Sequence, residues 1–453
     1  VQVTALPCRQ GCSSLWMPRS FLTSARLLAI VLQVLSVVAL GQASSGAYTT
    51  STSNAPANPF TAPPLWKWAA TCHANAASSC PPAELSQEEA TQVFPGGNTS
   101  CIFGAPYSLT FYPGDSDKLV IYFAGGGACW QSPSGVGEIH CLQEIGPAAP
   151  DEGIFNRSDI HNPLRSYTIV HLNYCSGDAH AGSRREMWIV DGKQKEAMSN
   201  GYANVKASLQ WVKQSLGSHF ASLVIAGSSS GSLAVMLWAR TLLKMFSYDR
   251  GSVLLDSYAG SFPPGSIAPI MKSWGMCETL ESLVDITTAA SCRAGQVNHL
   301  DMLRGAIADY GKVPFVSVQS KEDDIQVMFY NLVAASYGLT GGQTGPGLYR
   351  ATNLIFEGNQ AVSYGNYGVF YVDGSQHMLL TMANFYQASV RGSVRGGHLL
   401  HRWVGGVAAD GELPLPLFAC EGQLLSSARR LRGEKIENST AYCDASLSSP
   451  SGA

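Results

Sequence analysis

The sequence predicts an α/β fold: an α/β-hydrolase-like, mostly parallel, doubly wound sheet flanked by helices. Three observations carry that expectation. Short runs are apolar throughout rather than alternating, which marks strands covered on both faces. Stretches with apolar residues at helical spacing separate those runs, so strand and helix alternate. Residues able to do chemistry cluster directly after the runs, and ligands of such sheets sit beyond the carboxyl ends of the strands.

The strand candidates are, in order, Lys118–Phe123, Tyr167–Leu172, Leu223–Ala226, Ser252–Leu255, Val313–Val318 and Gly368–Val372. Between them, Ala203–Leu216 carries Val205, Leu209, Val212 and Leu216 on one helical face, and Leu233–Ala239, Leu300–Tyr310 and Asp324–Tyr337 read similarly. The chain has 453 residues, a net charge of −3 and only 13% charged residues. Nothing in that balance draws it to nucleic acid or to an anionic membrane. Its densest basic cluster, Arg429-Arg430-Leu431-Arg432, reads as a solvated helix end. No internal repeat is evident.

Gly227-Ser228-Ser229-Ser230-Gly231 follows the run Leu223–Ala226 at once and precedes a helical stretch. Strand, G-x-S-x-G, helix is the form of a nucleophile elbow, a turn so tight that it presents the central serine, Ser229, at the end of the sheet. A plain glycine- and serine-rich turn is the competing reading. An activated serine needs a base and an acid that orients the base, which in α/β-hydrolases follow in the order Ser, Asp or Glu, His. Downstream lie His299, His377, His398 and His401. His377 alone follows a strong strand through a glycine-containing loop, so it is the expected base. The strand ending at Val318 leads into Glu322-Asp323-Asp324; Asp323 is the preferred acid, with Asp324, Glu322 and the earlier Asp256 as alternatives. An acidic first helical turn explains the same carboxylates without catalysis. Gly125-Gly126-Gly127 can bring backbone N–H groups of Gly126 and Gly127 to one point, where the Ser230 N–H completes an oxyanion hole. A phosphate loop is disfavoured, since Cys-Trp and not Lys-Ser/Thr follows.

At the start, Met17-Pro18-Arg19 and Arg26 flank an apolar run from Leu27 to Leu40, followed by Gly41-Gln42-Ala43-Ser44. That pattern fits a secretory signal peptide and is short of the roughly 20 residues of a spanning helix. Membrane anchorage by residues 27–40 is the alternative. The expected organisation is upstream sequence plus signal peptide over 1–43, a Ser/Thr/Pro-rich linker over 44–64, one α/β domain over 65–422 and a tail over 423–453. Ten cysteines from Cys72 to Cys443 then remain, an even number that suggests disulfides. Proximity suggests Cys129–Cys141, Cys277–Cys292 and Cys420–Cys443. No C-x-x-C pair points to metal. Asn98, Asn156 and Asn438 head glycosylation sequons that are usable on the secretory route.

In Leu119–Trp130 (ending Gly-Gly-Gly-Ala-Cys-Trp), Asn173–Gly182, the elbow and Asp256-Ser257, the chain resembles the pectin acetylesterase family, which includes the Notum carboxylesterases. The resemblance spans roughly residues 65–405. It implies a secreted serine esterase of α/β-hydrolase type that uses no metal or other cofactor, with Ser229 as nucleophile, Asp323 as acid and His377 as base. Ser230 and Ser232 depart from the family's Gly-x-Ser-Ala-Gly-Gly. Family members remove acetyl groups from pectin or a fatty acyl group from a secreted signalling protein, so the implied substrate is an esterified polysaccharide or an acylated glycoprotein. A non-catalytic carbohydrate-binding relative is a further reading. Trp130, Asp178 and His180 are candidate substrate-binding residues; the plainer alternative for Asp178 and His180 is a loop, held by Cys175, that shapes the pocket.

Overall fold

The computed structural model describes residues 70–75, 79–146, 151–390, 398–411, 413 and 418–420. The expected signal peptide or anchor, linker and tail lie outside the described residues, as do Asn438 and the Cys420–Cys443 pairing. In chain order the strands are β1 (Ala70–His73), β2 (Thr91–Phe94), β3 (Leu109–Tyr112), β4 (Asp115–Phe123), β5 (Gly127–Gln131), β6 (Gly137–Cys141), β7 (Tyr167–Leu172) and β8 (Arg184–Val190). They continue as β9 (Lys193–Ser199), β10 (His219–Ser228), β11 (Ser247–Asp256), β12 (Phe315–Ser320), β13 (Tyr367–Val372), β14 (Ser389–Val390), β15 (His398–Leu399) and β16 (Phe418–Cys420).

Ten of these form one sheet in the order β1-β2-β3-β7-β4-β10-β11-β12-β13-β16. From β7 to β16 every neighbour is parallel, and β3 alone runs against the rest. Successive side chains of a strand point to opposite faces, and both faces here are covered. Leu119, Ile121, Phe123, Leu223 and Ile225 pack with the helix Ser230–Met245 on one side. Val120, Tyr122, Val224 and Ala226 pack on the other with Trp403 and Val404 of the helix Leu400–Asp410. This two-sided burial is why the runs are apolar throughout, and it makes the fold the expected α/β-hydrolase-like one.

The helices Gly201–Ser215, His299–Asp309 and Asp324–Ser336 stand within two residues of their expected limits. Several strand starts move: β4, β10 and β11 begin three, four and five residues before the expected runs, and β12 begins late, at Phe315 and not Val313. Pro314 has no N–H to give a ladder, and its carbonyl serves β11 by accepting the Val253 N–H at 2.9 Å. Four disulfides link described residues: Cys72–Cys80, Cys101–Cys175, Cys129–Cys141 and Cys277–Cys292. The last two are the pairs that proximity suggests. Among the described residues no helix is long and apolar enough to cross a membrane.

One contact ties the sheet to its central helix. A Cβ on Gly231 would run into the carbonyl of Phe123, at the end of β4, and come within 2.9 Å of the Ala124 oxygen. Backbone cannot yield as a flexible side chain can. Gly231→Ala is therefore expected to lose about 3 kcal/mol of stability in urea unfolding, with no such loss for Ala at the open Gly305.

Candidate active site

The elbow is built by the abrupt change from strand to helix. β10 ends at Ser228 and the helix begins at Ser230, leaving Ser229 at φ 58°, ψ −127°. A non-glycine residue holds that strained backbone only where its surroundings impose it. Here the Ser229 N–H donates to the Asp256 carbonyl at 2.9 Å, and the Ser232 N–H returns to the Ser229 carbonyl at 2.9 Å. The glycine run lies against the turn, since a Cβ on Gly125 would stand 2.8 Å from both the Ser228 oxygen and the Ser229 Cβ.

Asp323 and His377, 54 residues apart in sequence, meet. His377 Nδ1 stands 3.0 and 2.9 Å from the two carboxylate oxygens of Asp323. A carboxylate only accepts, so Nδ1 carries the proton. Nε2 then holds the lone pair, and it has no hydrogen-bond partner among the described residues. The loops that carry the pair are laced together: Glu322 N–H donates to Gly374 O, and Asp324 N–H to Ser375 O, both at 3.0 Å. Lys321 adds an ion pair to Asp373 at 2.6 Å.

Asp323 also caps the helix Asp324–Ser336, accepting from Gln326 N at 2.9 Å and from Gln326 Nε2 at 2.9 Å. The helix-cap reading of this acidic turn thus holds, and the same carboxylate also meets His377. Asp324 and Glu322 are exposed. Asp256 sits on the far side of the elbow, bonded to the loop after His377 and not to its ring. His299 is buried elsewhere, with Nε2 at 3.0 Å from Gly260 O.

Asp178 and His180 are buried behind the glycine run. Asp178 accepts from Ser176 Oγ at 2.6 Å, His180 N at 3.1 Å and Gly201 N at 2.7 Å. His180 Nε2 meets Ala124 O at 2.9 Å, and its ring stacks on Tyr174 at 4.5 Å. These contacts fix the loop leading into Gly125–Gly127. Trp130 lines a cavity beside the elbow together with Gly127, Ala128, Ser229 and Ser230. The rest of the lining, including Leu233, Phe262, Ile270, Trp274 and Phe329, is almost wholly apolar. No sequence signal marked these five, because they come from separate segments that only the fold brings together. The cavity holds about 30 Å³, room for roughly two water molecules. A larger groove of about 630 Å³ runs past Tyr248, Arg250 and Lys312. Arg250 pairs with Ser222, seven residues before Ser229, so the groove is about 20 Å from the elbow.

The sequence model of the family described as Pectinacetylesterase matches residues 95–336, more than half of the chain. The chain belongs to the pectinacetylesterase family. It is therefore a hydrolase of carboxylic esters, and the family implies acetylated polysaccharide as its substrate class. Comparison with curated proteins gives no match. The matched span includes the glycine run, the elbow and Asp323 but ends before β13 and His377.

Two buried histidines and a half-buried one make the fold sensitive to acid. Burial lowers the pKa of His171, His180 and His299 to about 4, against hydrogen bonds that raise it. Unfolded, each would take up a proton near pH 6.5. Between pH 6.5 and 4 the unfolded chain thus binds more protons, and stability falls as the pH falls. Urea unfolding is expected to weaken across that window, each site contributing at most about 1.4 kcal/mol per pH unit. The slope is expected to be shallower in His299→Gln; an unchanged slope would show that the ring is protonated in the fold.

Proposed function

We propose that the chain is a secreted serine carboxylesterase that removes acetyl groups from a polysaccharide such as pectin, by a Ser229–His377–Asp323 acyl-enzyme mechanism. The observation that carries this reading is the imidazole held by Asp323 through Nδ1, its Nε2 without a partner among the described residues, on a loop whose next residues are bonded to the Asp256 carboxylate, which also accepts from Ser228 in the elbow. Nε2 removes the Ser229 proton as Oγ attacks the ester carbonyl carbon. The carbonyl electrons move onto oxygen, met by backbone N–H groups of Gly126, Gly127 and Ser230; each such donor is worth about 3 kcal/mol. Collapse of the tetrahedral intermediate breaks the bond to the sugar oxygen, which leaves with the proton from Nε2. Water, deprotonated by Nε2, then attacks the acetyl-Ser229 ester, releases acetate and restores the serine. Asp323 holds the productive tautomer and stabilises the imidazolium that forms in both halves.

The size of the cavity supports acetyl over a fatty acyl group. The cavity beside Ser229, about 30 Å³, favours a short acyl group, whereas pockets for larger ligands run to about 300 Å³ or more. Its apolar lining suits a methyl group. Export is supported by the four disulfides and by the exposure of the sequon residue Asn98.

Ser229→Ala is expected to fold normally and to lose p-nitrophenyl acetate hydrolysis by at least about 1,000-fold. Persistent turnover in that variant would end the proposal. Across a p-nitrophenyl series from acetate to palmitate, kcat/KM is expected to be highest for acetate and to fall at least tenfold by octanoate. A maximum at long chains would instead assign a fatty-acyl substrate.

A further inference from the structure

The Asp256 carboxylate is fully buried and touches neither the His377 ring nor the cavity. Its surroundings come from three segments. Ser228 Oγ, at the end of β10, donates to Oδ2 at 2.6 Å, and Ser257 Oγ to Oδ1 at 2.7 Å. From the loop after β13, the Leu379 N–H reaches both oxygens at 3.0 Å and the Leu380 N–H reaches Oδ2 at 2.9 Å. The main chain of the same residue accepts the Ser229 N–H. We infer that Asp256 is a positioning residue, a clamp that sets the His377 loop against the Ser229 elbow. The inference rests on the triad proposed above.

Four donor groups converge on the two oxygens, which leaves a proton on the carboxyl nowhere to point. The Tyr122 hydroxyl, from β4, donates to Ser228 Oγ at 2.7 Å, so the Ser228 proton is committed to Asp256. Burial raises the Asp256 pKa and these hydrogen bonds oppose it. Hydrogen bonds to an ionised, buried acceptor are the strong ones, and few other contacts could serve here. Met378, between the base and the clamped N–H groups, sits at φ 62°. That left-handed turn puts His377 and Leu379 on different courses, and the bonds to Leu379 and Leu380 hold it. On its other side the loop is fixed by Ile154, whose N–H donates to Leu380 O at 2.8 Å. The effect is to remove a degree of freedom that matters in catalysis, since a misplacement of about 1 Å can cost about 100-fold in rate.

The test is a double-mutant cycle on the full chain, with kcat and KM for p-nitrophenyl acetate and thermal unfolding measured for each protein. Asp256→Asn keeps the shape but turns an amide donor toward the donors already there. It is expected to lower kcat at least 30-fold with KM within threefold. In a His377→Ala background, where residual turnover still exceeds that of water, the same change is expected to cost less than threefold. A loss that acts through the base vanishes with the base. An equal loss in both backgrounds, or a kcat within threefold of wild type, overturns the inference. If Asp256→Asn does not fold, the cycle is run with Ser228→Ala, which removes one donor and leaves three. There the expected losses are about fivefold with His377 present and none without it, and equal losses again overturn it. His377→Ala by itself separates the two ideas. If it stays fully active the triad fails and takes the clamp with it; if it keeps only residual turnover and the losses are equal, only the clamp fails.

Discussion

The structure depends on how closely three stretches of backbone approach at the end of the sheet. The helix Ser230–Met245 presses its first turn onto the end of β4 at Gly231, and the glycine run that leaves β4 presses back on Ser229. No side chain separates them. Elbow and glycine run are thus one rigid unit, and the distance from the serine to the nearby N–H groups is set by main-chain packing. Preorganised donors of this kind need no reordering as charge develops, which is why they stabilise an oxyanion better than water does.

How much of this was legible in the sequence follows from how local each feature is. The strands β4, β7, β10 and β13 showed as unbroken apolar runs because each is buried on both faces by its own residues. The elbow showed because its glycines and serine are consecutive. His377 and Asp323 could be chosen because each follows a strand end, although nothing local says that they touch. The hairpins β5–β6 and β8–β9 did not show. They lie outside the main sheet, and β8 alternates exposed and half-buried residues around Trp188 without an apolar run. The cavity lining and the role of Asp256 were illegible for a different reason: they depend on contacts between segments up to 206 residues apart, as in Trp130 Nε1 to Ser336 Oγ.

Asp323 shows why a bland explanation and a functional one need not compete. Its carboxylate caps a helix through Gln326 and meets His377 with the same two oxygens. Gln326 in turn accepts the Ala259 N–H and reaches Gln319. The helix dipole favours negative charge at this position, and the cap keeps the Asp323 carboxylate aimed at the imidazole. A carboxylate free to rotate would lose part of its orienting value for the imidazole.

Backbone strain follows the same logic. Among the described residues, seven non-glycine residues have positive φ, and five of them surround this site: Ala179, His180, Ser229, Ser257 and Met378. Each such residue costs of order 1 kcal/mol or more, so their clustering must be offset by something local. What offsets it is a set of buried hydrogen bonds that these conformations alone permit. Ala179 gives its N–H to Tyr174 Oη, His180 gives its own to Asp178, and Ser257 gives its own to Val318 O. Relaxing any one of these turns would strand a buried donor, at about 1–3 kcal/mol, as much as the strain it relieved. The strained geometry is therefore the stable one, and the groups around Ser229 stay in place before any substrate arrives.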